Sequence, residues 1–135
     1  VKSYPGEVMV DSSAFLALYN SGDPAHKSLT RSVNKLAEHR SGLITTNFIL
    51  SEAYTLIGCR LSFDDARTWL KKIDVPVEYV SPADEEDARQ ILQNYDDKEF
   101  SYVDATTFTV MERLQIKTAL TLDSDFEQYG FQVLN

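Results

Sequence analysis

The chain has 135 residues, 43% hydrophobic and 25% charged, which suits one soluble globular domain with a real core. Its formal net charge is −8, with 21 Asp and Glu against 13 Lys and Arg, and that excludes recognition of nucleic acid through a broad basic surface. A single cysteine, Cys59, excludes an intrachain disulfide and a cysteine-rich zinc site, and no apolar run approaches the roughly 18 residues needed to span a bilayer.

The N-terminal residues carry no charged-then-apolar signal pattern, so the expected location is cytoplasmic. Residues 1 to 6, with Pro5 and Gly6, read as a loose lead-in. Val8, Met9 and Val10 then form a short buried strand, about 7–10, that stops at Asp11. A first helix follows over about 12–19, and Asn20-Ser21-Gly22 ends it. Asp23 as N-cap and Pro24 at the first helical position open a second helix, with Ala25, Leu29, Val33, Leu36 and Ala37 at helical spacing until Ser41-Gly42.

Leu43-Ile44-Thr45 is a second strand, after which Thr46 or Asn47 caps a third helix running to about Cys59. Its apolar side carries Phe48, Ile49, Ala53, Leu56 and Ile57. Ser62 and Asp65 have capping-box-like spacing and start a fourth helix carrying Ala66, Trp69, Leu70 and Ile73. Val75 to Val80 is a third strand, weakened at its start by Pro76. Ser81-Pro82 opens a fifth helix to about Tyr95, and Asp84, Glu85, Glu86 and Asp87 complement the positive end of its dipole.

A polar loop, Asp96 to Phe100, precedes a sixth helix that begins near Ser101 and runs to about Leu114. Ala119-Leu120-Thr121-Leu122 is a fourth strand ending at Asp123. Ser124 to Tyr129 is a short helix closed by Gly130, and Phe131 to Leu134 is a last strand. Strands alternate with helices throughout, so the expected fold is α/β with a mostly parallel central sheet of four or five strands in a single domain, 1–135.

Four acids fall where such a sheet collects its chemistry. Asp11 and Asp123 end strands, and Asp104 starts a helix, so all three can meet at the carboxyl edge. Glu52 shares a helix face with Phe48 and Leu56, and a carboxylate on a packing face is costly unless paired or bound to metal. Each acid also has a plainer reading. Asp11 can be the N-cap of the first helix, Asp104 can complete a capping box with Ser101, and Asp123 or Asp125 can cap the short helix. Glu52 can border solvent or pair with a buried arginine. Taken together, an all-oxygen cluster of this kind suits Mg²⁺ or Mn²⁺, cations that stabilise charge on phosphate oxygens and activate water for in-line displacement.

Other chemistries have less support. His26 and His39 lie on the second helix without accompanying cysteines and read as surface residues. Five glycines are scattered with no phosphate-binding loop. Lys27, Arg31 and Lys35 share a face of the second helix, and Arg67, Lys71 and Lys72 group on the fourth; both sets read first as solvated faces and second as contacts for phosphates. Tyr54, Phe100 and Tyr102 lie near the acids in sequence and can pack in the core or stack on an unpaired base.

Four segments carry a resemblance to a known family: Val8-Met9-Val10-Asp11-Ser12-Ser13-Ala14-Phe15-Leu16, Asn47-Phe48-Ile49-Leu50-Ser51-Glu52-Ala53, Phe100-Ser101-Tyr102-Val103-Asp104-Ala105 and Ala119-Leu120-Thr121-Leu122-Asp123-Ser124-Asp125-Phe126. In that order they resemble the PIN domain family, and its VapC-like toxin ribonucleases most closely. The resemblance implies a PIN-like three-layer fold, metal-dependent endoribonuclease activity, a homodimer and a protein antitoxin that inserts near the active site. It makes Asp11, Glu52, Asp104 and Asp123 the acidic quartet, Ser13 a hydroxyl that orients the first acid or a nearby water, and Asp125 a secondary acid. Two further readings stand beside this one. The first is a noncatalytic module whose acids hold a basic partner; the second is a housekeeping RNA-processing PIN nuclease. Receiver and haloacid-dehalogenase chemistries fit poorly, because serines follow Asp11 where an acid is needed.

Overall fold

The computed structural model describes residues 4–135. Five parallel strands form one sheet in the order β3-β2-β1-β4-β5. The first is β1 (Glu7–Val10), whose Val8, Met9 and Val10 are buried on both faces, as a central parallel strand requires. Beside it run β2 (Gly42–Thr46) and β4 (Thr118–Leu120), with Met9 opposite both Ile44 and Ala119. The edges are β3 (Val77–Glu78) and β5 (Gln132–Leu134). Strand order therefore reverses at β1 and β4, which makes the carboxyl end of β1 the switch point where a crevice opens.

Seven helices connect the strands: α1 (Ser12–Tyr19), α2 (His26–Glu38), α3 (Asn47–Arg60), α4 (Phe63–Lys72), α5 (Pro82–Asn94), α6 (Tyr102–Leu114) and α7 (Asp125–Tyr129). Right-handed crossovers place α1–α4 on one face and α5–α7 on the other, in keeping with the packing of α1 on α2 and α3, of α3 on α4, and of α6 on α5 and α7. Also in contact are α3 and α6, which brings the Glu52 helix beside the Asp104 helix. Under α6 the core is aromatic: Phe108 stacks on Tyr129 and meets Phe100 and Phe126 edge to face.

Helix starts follow local chemistry. Thr46 caps α3 by accepting the Ile49 N–H, Ser62 caps α4 by accepting that of Asp65, and Ser81 and Ser101 build reciprocal capping boxes with Asp84 and Asp104. Gly130, at φ 125°, closes α7 in a conformation that side chains rarely adopt. Three expected boundaries move. The Asp23-Pro24 signal makes a turn, with Asp23 Oδ1 accepting the Ala25 N–H at 2.8 Å, and α2 begins only at His26. The strand expected over Val75–Val80 shrinks to two residues because Pro76 has no N–H, and the Val80 N–H goes to the Asn47 side chain at 2.8 Å. Finally, β4 ends at Leu120, since the N–H groups of Leu122 and Asp123 turn to the hydroxyls of Ser13 and Thr121.

Candidate metal centre

Asp11 follows β1 directly, and its backbone is seated by an N–H bond to Leu120 of β4 at 3.1 Å. It occupies the N-cap position of α1 but makes no side-chain cap bond. Instead Oδ2 accepts the Thr121 hydroxyl at 2.9 Å and lies 3.2 Å from that of Ser13. Its other oxygen, Oδ1, is buried with no hydrogen-bond partner. A buried carboxylate oxygen left bare is expensive, so the capping explanation of this residue does not hold.

Glu52 reaches the same edge from α3. The face it shares with Phe48 and Leu56 is only partly buried, with Leu56 packed against the edge of the core, whereas Ile49, Ala53 and Ile57 are fully buried. Phe48, Glu52 and Leu56 instead line an open groove of about 620 Å³ together with Thr55, Cys59 and Val103. Glu52 is thus half-buried beside solvent, as one plainer reading held, yet no arginine meets it. Its Oε1 accepts the Ser12 hydroxyl at 2.5 Å, which ties α3 to the start of α1.

Asp104 does both things its sequence suggested. Oδ2 accepts the Ser101 N–H at 3.2 Å, closing the capping box. The same carboxylate lies within 4.8 Å of carboxylate oxygens of Asp123 and Asp125, and these three acids converge although the residue is only 6% exposed. Asp123 sits in the loop after β4, its Oδ1 accepting the Asp125 N–H at 2.9 Å; Ser124, not Asp123, precedes α7, without a side-chain cap bond.

The electrostatics have one sign. Burial first, then the charges of Asp123 and Asp11 and a hydrogen bond with Asp125, push the Asp104 carboxyl up to about 7, against the lowering pull of the Ser101 N–H. Burial raises Asp11 as well, and the Glu52 charge adds to that rise, while the Thr121 hydroxyl, the nearby Ser12 backbone N–H and the Ser13 hydroxyl oppose it. Among the described residues no ion pair involves any of these acids. Carboxylates gathered without a cation, one of them with a bare buried oxygen, fit a hard divalent cation with oxygen ligands. Among the described residues, Asp104, Asp123 and Asp125 are the three whose carboxylate oxygens lie close enough together to hold one cation; of the expected quartet, Asp11 and Glu52 stand beside that group, near enough for the Asp11 charge to act on Asp104 and that of Glu52 on Asp11, but outside it.

Other singled-out residues lie elsewhere. His26 Nδ1 bonds the Ala17 carbonyl, and His39 is an exposed residue stacked on Tyr4. Lys27, Arg31 and Lys35 are exposed, and Arg67 bonds Asp64. Phe100 is core, Tyr54 packs on Phe63, and Tyr102 stands on Phe48 at the groove with its hydroxyl on Glu85. Sequence reasoning missed Ser12 and Thr121. The available signal was a hydroxyl residue beside each strand-end acid, ambiguous with ordinary turn chemistry.

The PIN domain family model matches residues 8–132. The 23S rRNA-specific endonuclease VapC20 of Mycobacterium tuberculosis strain H37Rv is 36% identical over 128 residues, 92% of this chain and 95% of that protein. Ribonuclease VapC26 of the same strain is 24% identical over 119 residues, covering 86% of each chain. A crystal structure of M. tuberculosis VapC20, described as a sarcin-ricin loop cleaving toxin, superposes with a TM-score of 0.83 at 34% identity, over 92% of this chain and 95% of that one. VapBC2 from Rickettsia felis, solved with a DNA fragment from its promoter, shares the fold at a TM-score of 0.72 and 12% identity, over 96% and 97% of the two chains. The chain belongs to the PIN domain family, among its VapC-type toxin ribonucleases.

Proposed function

We propose that this protein is a VapC-type endoribonuclease in which Asp11, Glu52, Asp104 and Asp123 hold Mg²⁺ or Mn²⁺ at the carboxyl edge of the sheet. One observation carries the metal assignment: Asp104 of α6 and Asp123 and Asp125 after β4 bring carboxylate oxygens within 4.8 Å of one another with no Lys or Arg among the described residues paired to them, and beside them Asp11 keeps a buried Oδ1 that no side chain meets. A bound divalent cation supplies positive charge for the phosphate and lowers the pKa of a coordinated water. The residues of this chain supply placement. Ser12 holds Glu52, Ser13 and Thr121 hold Asp11, and the α6 cap holds Asp104, so the acids are aligned before a cation arrives. At a net charge of −8 the metal-free edge repels a polyanion, which makes RNA engagement conditional on the cation.

Likeness to VapC20 makes structured ribosomal RNA, a sarcin-ricin-type stem-loop above all, the first substrate to test. A homodimer and a protein antitoxin are the expected assemblies, and the cytoplasm is the expected place of action. No helix among the described residues is long and apolar enough to cross a membrane.

The decisive assay is cleavage of structured and single-stranded RNAs in Mn²⁺, with EDTA and Glu52→Gln as controls. Metal-dependent cutting by the wild type that disappears in Glu52→Gln is the expected result. Equal cutting by both would remove Glu52 from the site. A folded protein, free of any bound partner, that never cuts RNA would overturn the nuclease reading and leave a noncatalytic acidic module.

A further inference from the structure

Thr121 and Ser13 each make three side-chain hydrogen bonds at this edge, though neither carries a charge, and of the two Thr121 alone reaches both Asp11 and Asp123. Thr121 is fully buried, and its backbone N–H is fixed to the Leu134 carbonyl of β5 at 3.2 Å. Its single hydroxyl proton goes to Asp11 Oδ2 at 2.9 Å. The lone pairs of that same Oγ1 receive the Asp123 N–H at 3.0 Å and face the Ser13 hydroxyl at 3.2 Å. Ser13 in turn accepts the Leu122 N–H at 3.0 Å. Two hydroxyls therefore satisfy two loop amides and one carboxylate oxygen, with each donor used.

We propose that Thr121 is a positioning residue of the nuclease site, acting through Asp11 and Asp123 at once. Its hydroxyl occupies Oδ2 of Asp11, which fixes the rotation of that carboxylate and leaves Oδ1 as the oxygen offered to the cluster. By accepting the Asp123 amide it also sets the loop that presents the last acid. The acid of β1 and the acid after β4 are thereby held in one geometry by one atom of a third residue. The inference rests on the metal reading above and assigns the ordering of the ligand set to a residue that is not itself a ligand.

Thr121→Val keeps the shape and removes both roles of the hydroxyl, whereas Thr121→Ser keeps the hydroxyl and drops a methyl group. Free Mn²⁺ is titrated with each full-length protein by electron paramagnetic resonance, with Asp11→Asn as reference, and RNA cleavage and thermal melting are measured beside it. Thr121→Val is expected to bind Mn²⁺ about ten- to a hundredfold more weakly, with a matching loss in kcat; Thr121→Ser is expected to recover most of both. A purely structural role predicts lowered melting temperatures with unchanged Mn²⁺ affinity, and that result overturns the proposal. Wild-type affinity in Thr121→Val overturns it as well, while the metal reading stands. If wild type and Asp11→Asn both fail to bind Mn²⁺, the metal reading falls and takes this proposal with it.

Discussion

Two helices of this protein begin with the same device and end in opposite electrostatic worlds. Ser81 and Asp84 open α5, and Ser101 and Asp104 open α6, each pair as a reciprocal capping box with the acid buried to 2% and 6% exposure. Asp84 meets Arg113, whose Nε and guanidinium N–H donate to both its oxygens at 2.9 Å while a third N–H reaches Glu78. Those bonds hold the Asp84 carboxyl below its ordinary range. Asp104 meets Asp123, Asp125 and the field of Asp11, and its carboxyl stands at about 7. Same cap, opposite consequence. A buried acid matched by an arginine ties β3, α5 and α6 together; a buried acid matched by other acids keeps its proton more tightly.

Substitution at the two aspartates should separate these roles, and the largest effect belongs to function. Asp104→Asn keeps an oxygen for the Ser101 N–H but removes a ligand charge, so RNA cleavage should fall by at least about a hundredfold with the fold intact. Cleavage at the wild-type rate would mean that α6 contributes only structure. Arg113→Met strikes the other cap. It leaves the Asp84 charge buried without its partner, at a cost of about 2–3 kcal/mol, below the fully buried case because the Arg113 side chain is 39% exposed. Chemical denaturation checks this, and metal-dependent cleavage below the melting temperature should persist.

The pH dependence of melting should then run in opposite directions for the two acids. Asp104 binds its proton more tightly when folded, so its contribution is full below pH 3.8 and is lost as pH rises through about 7. Metal-free protein should lose that increment across this window, and Asp104→Asn should flatten the slope; Mn²⁺ should reverse it by favouring the ionised form. Asp84 contributes above pH 3.8 and loses its contribution as pH falls through its lowered folded value, so Asp84→Asn should flatten only the acid limb. The smallest effect sharpens what the two regions share. Ser81→Ala and Ser101→Ala should each cost about 1 kcal/mol, the ordinary worth of an N-cap, and both should leave Mn²⁺ affinity near wild type, because the Asp104 carboxylate accepts the Ser101 backbone N–H, which alanine keeps. A large loss of Mn²⁺ affinity in Ser101→Ala alone would show that the hydroxyl, and not that N–H, sets the Asp104 carboxylate.

Much of the outline is legible in the chain because it is local. Val8-Met9-Val10 cannot be other than a buried run, and the serine caps at 62, 81 and 101 bond within three residues of themselves. Boundaries slipped where a distant group took over a backbone amide: Asn47 captured the N–H of Val80, and Ser13 and Thr121 drew the end of β4 out of the sheet. Whether the face of Glu52 packs or borders solvent is open in the sequence for a related reason. Apolar neighbours at helical spacing mark a face as buried only if another element covers it, and here the groove beside α6 is open.

By itself the sequence determined the alternation of strands and helices, the two acids at strand ends, Asp11 and Asp123, and the three serine caps, since each depends on residues a few positions apart. Only the tertiary structure decided which acids stand alone. Arg113 lies 29 residues from Asp84 and Thr121 lies 110 from Asp11, and nothing in either local segment announces the partner. Whether a buried carboxylate becomes a salt bridge or a metal ligand depends on the charge across the gap, and the parallel sheet, by reversing its strand order at β1 and β4, sets what lies there.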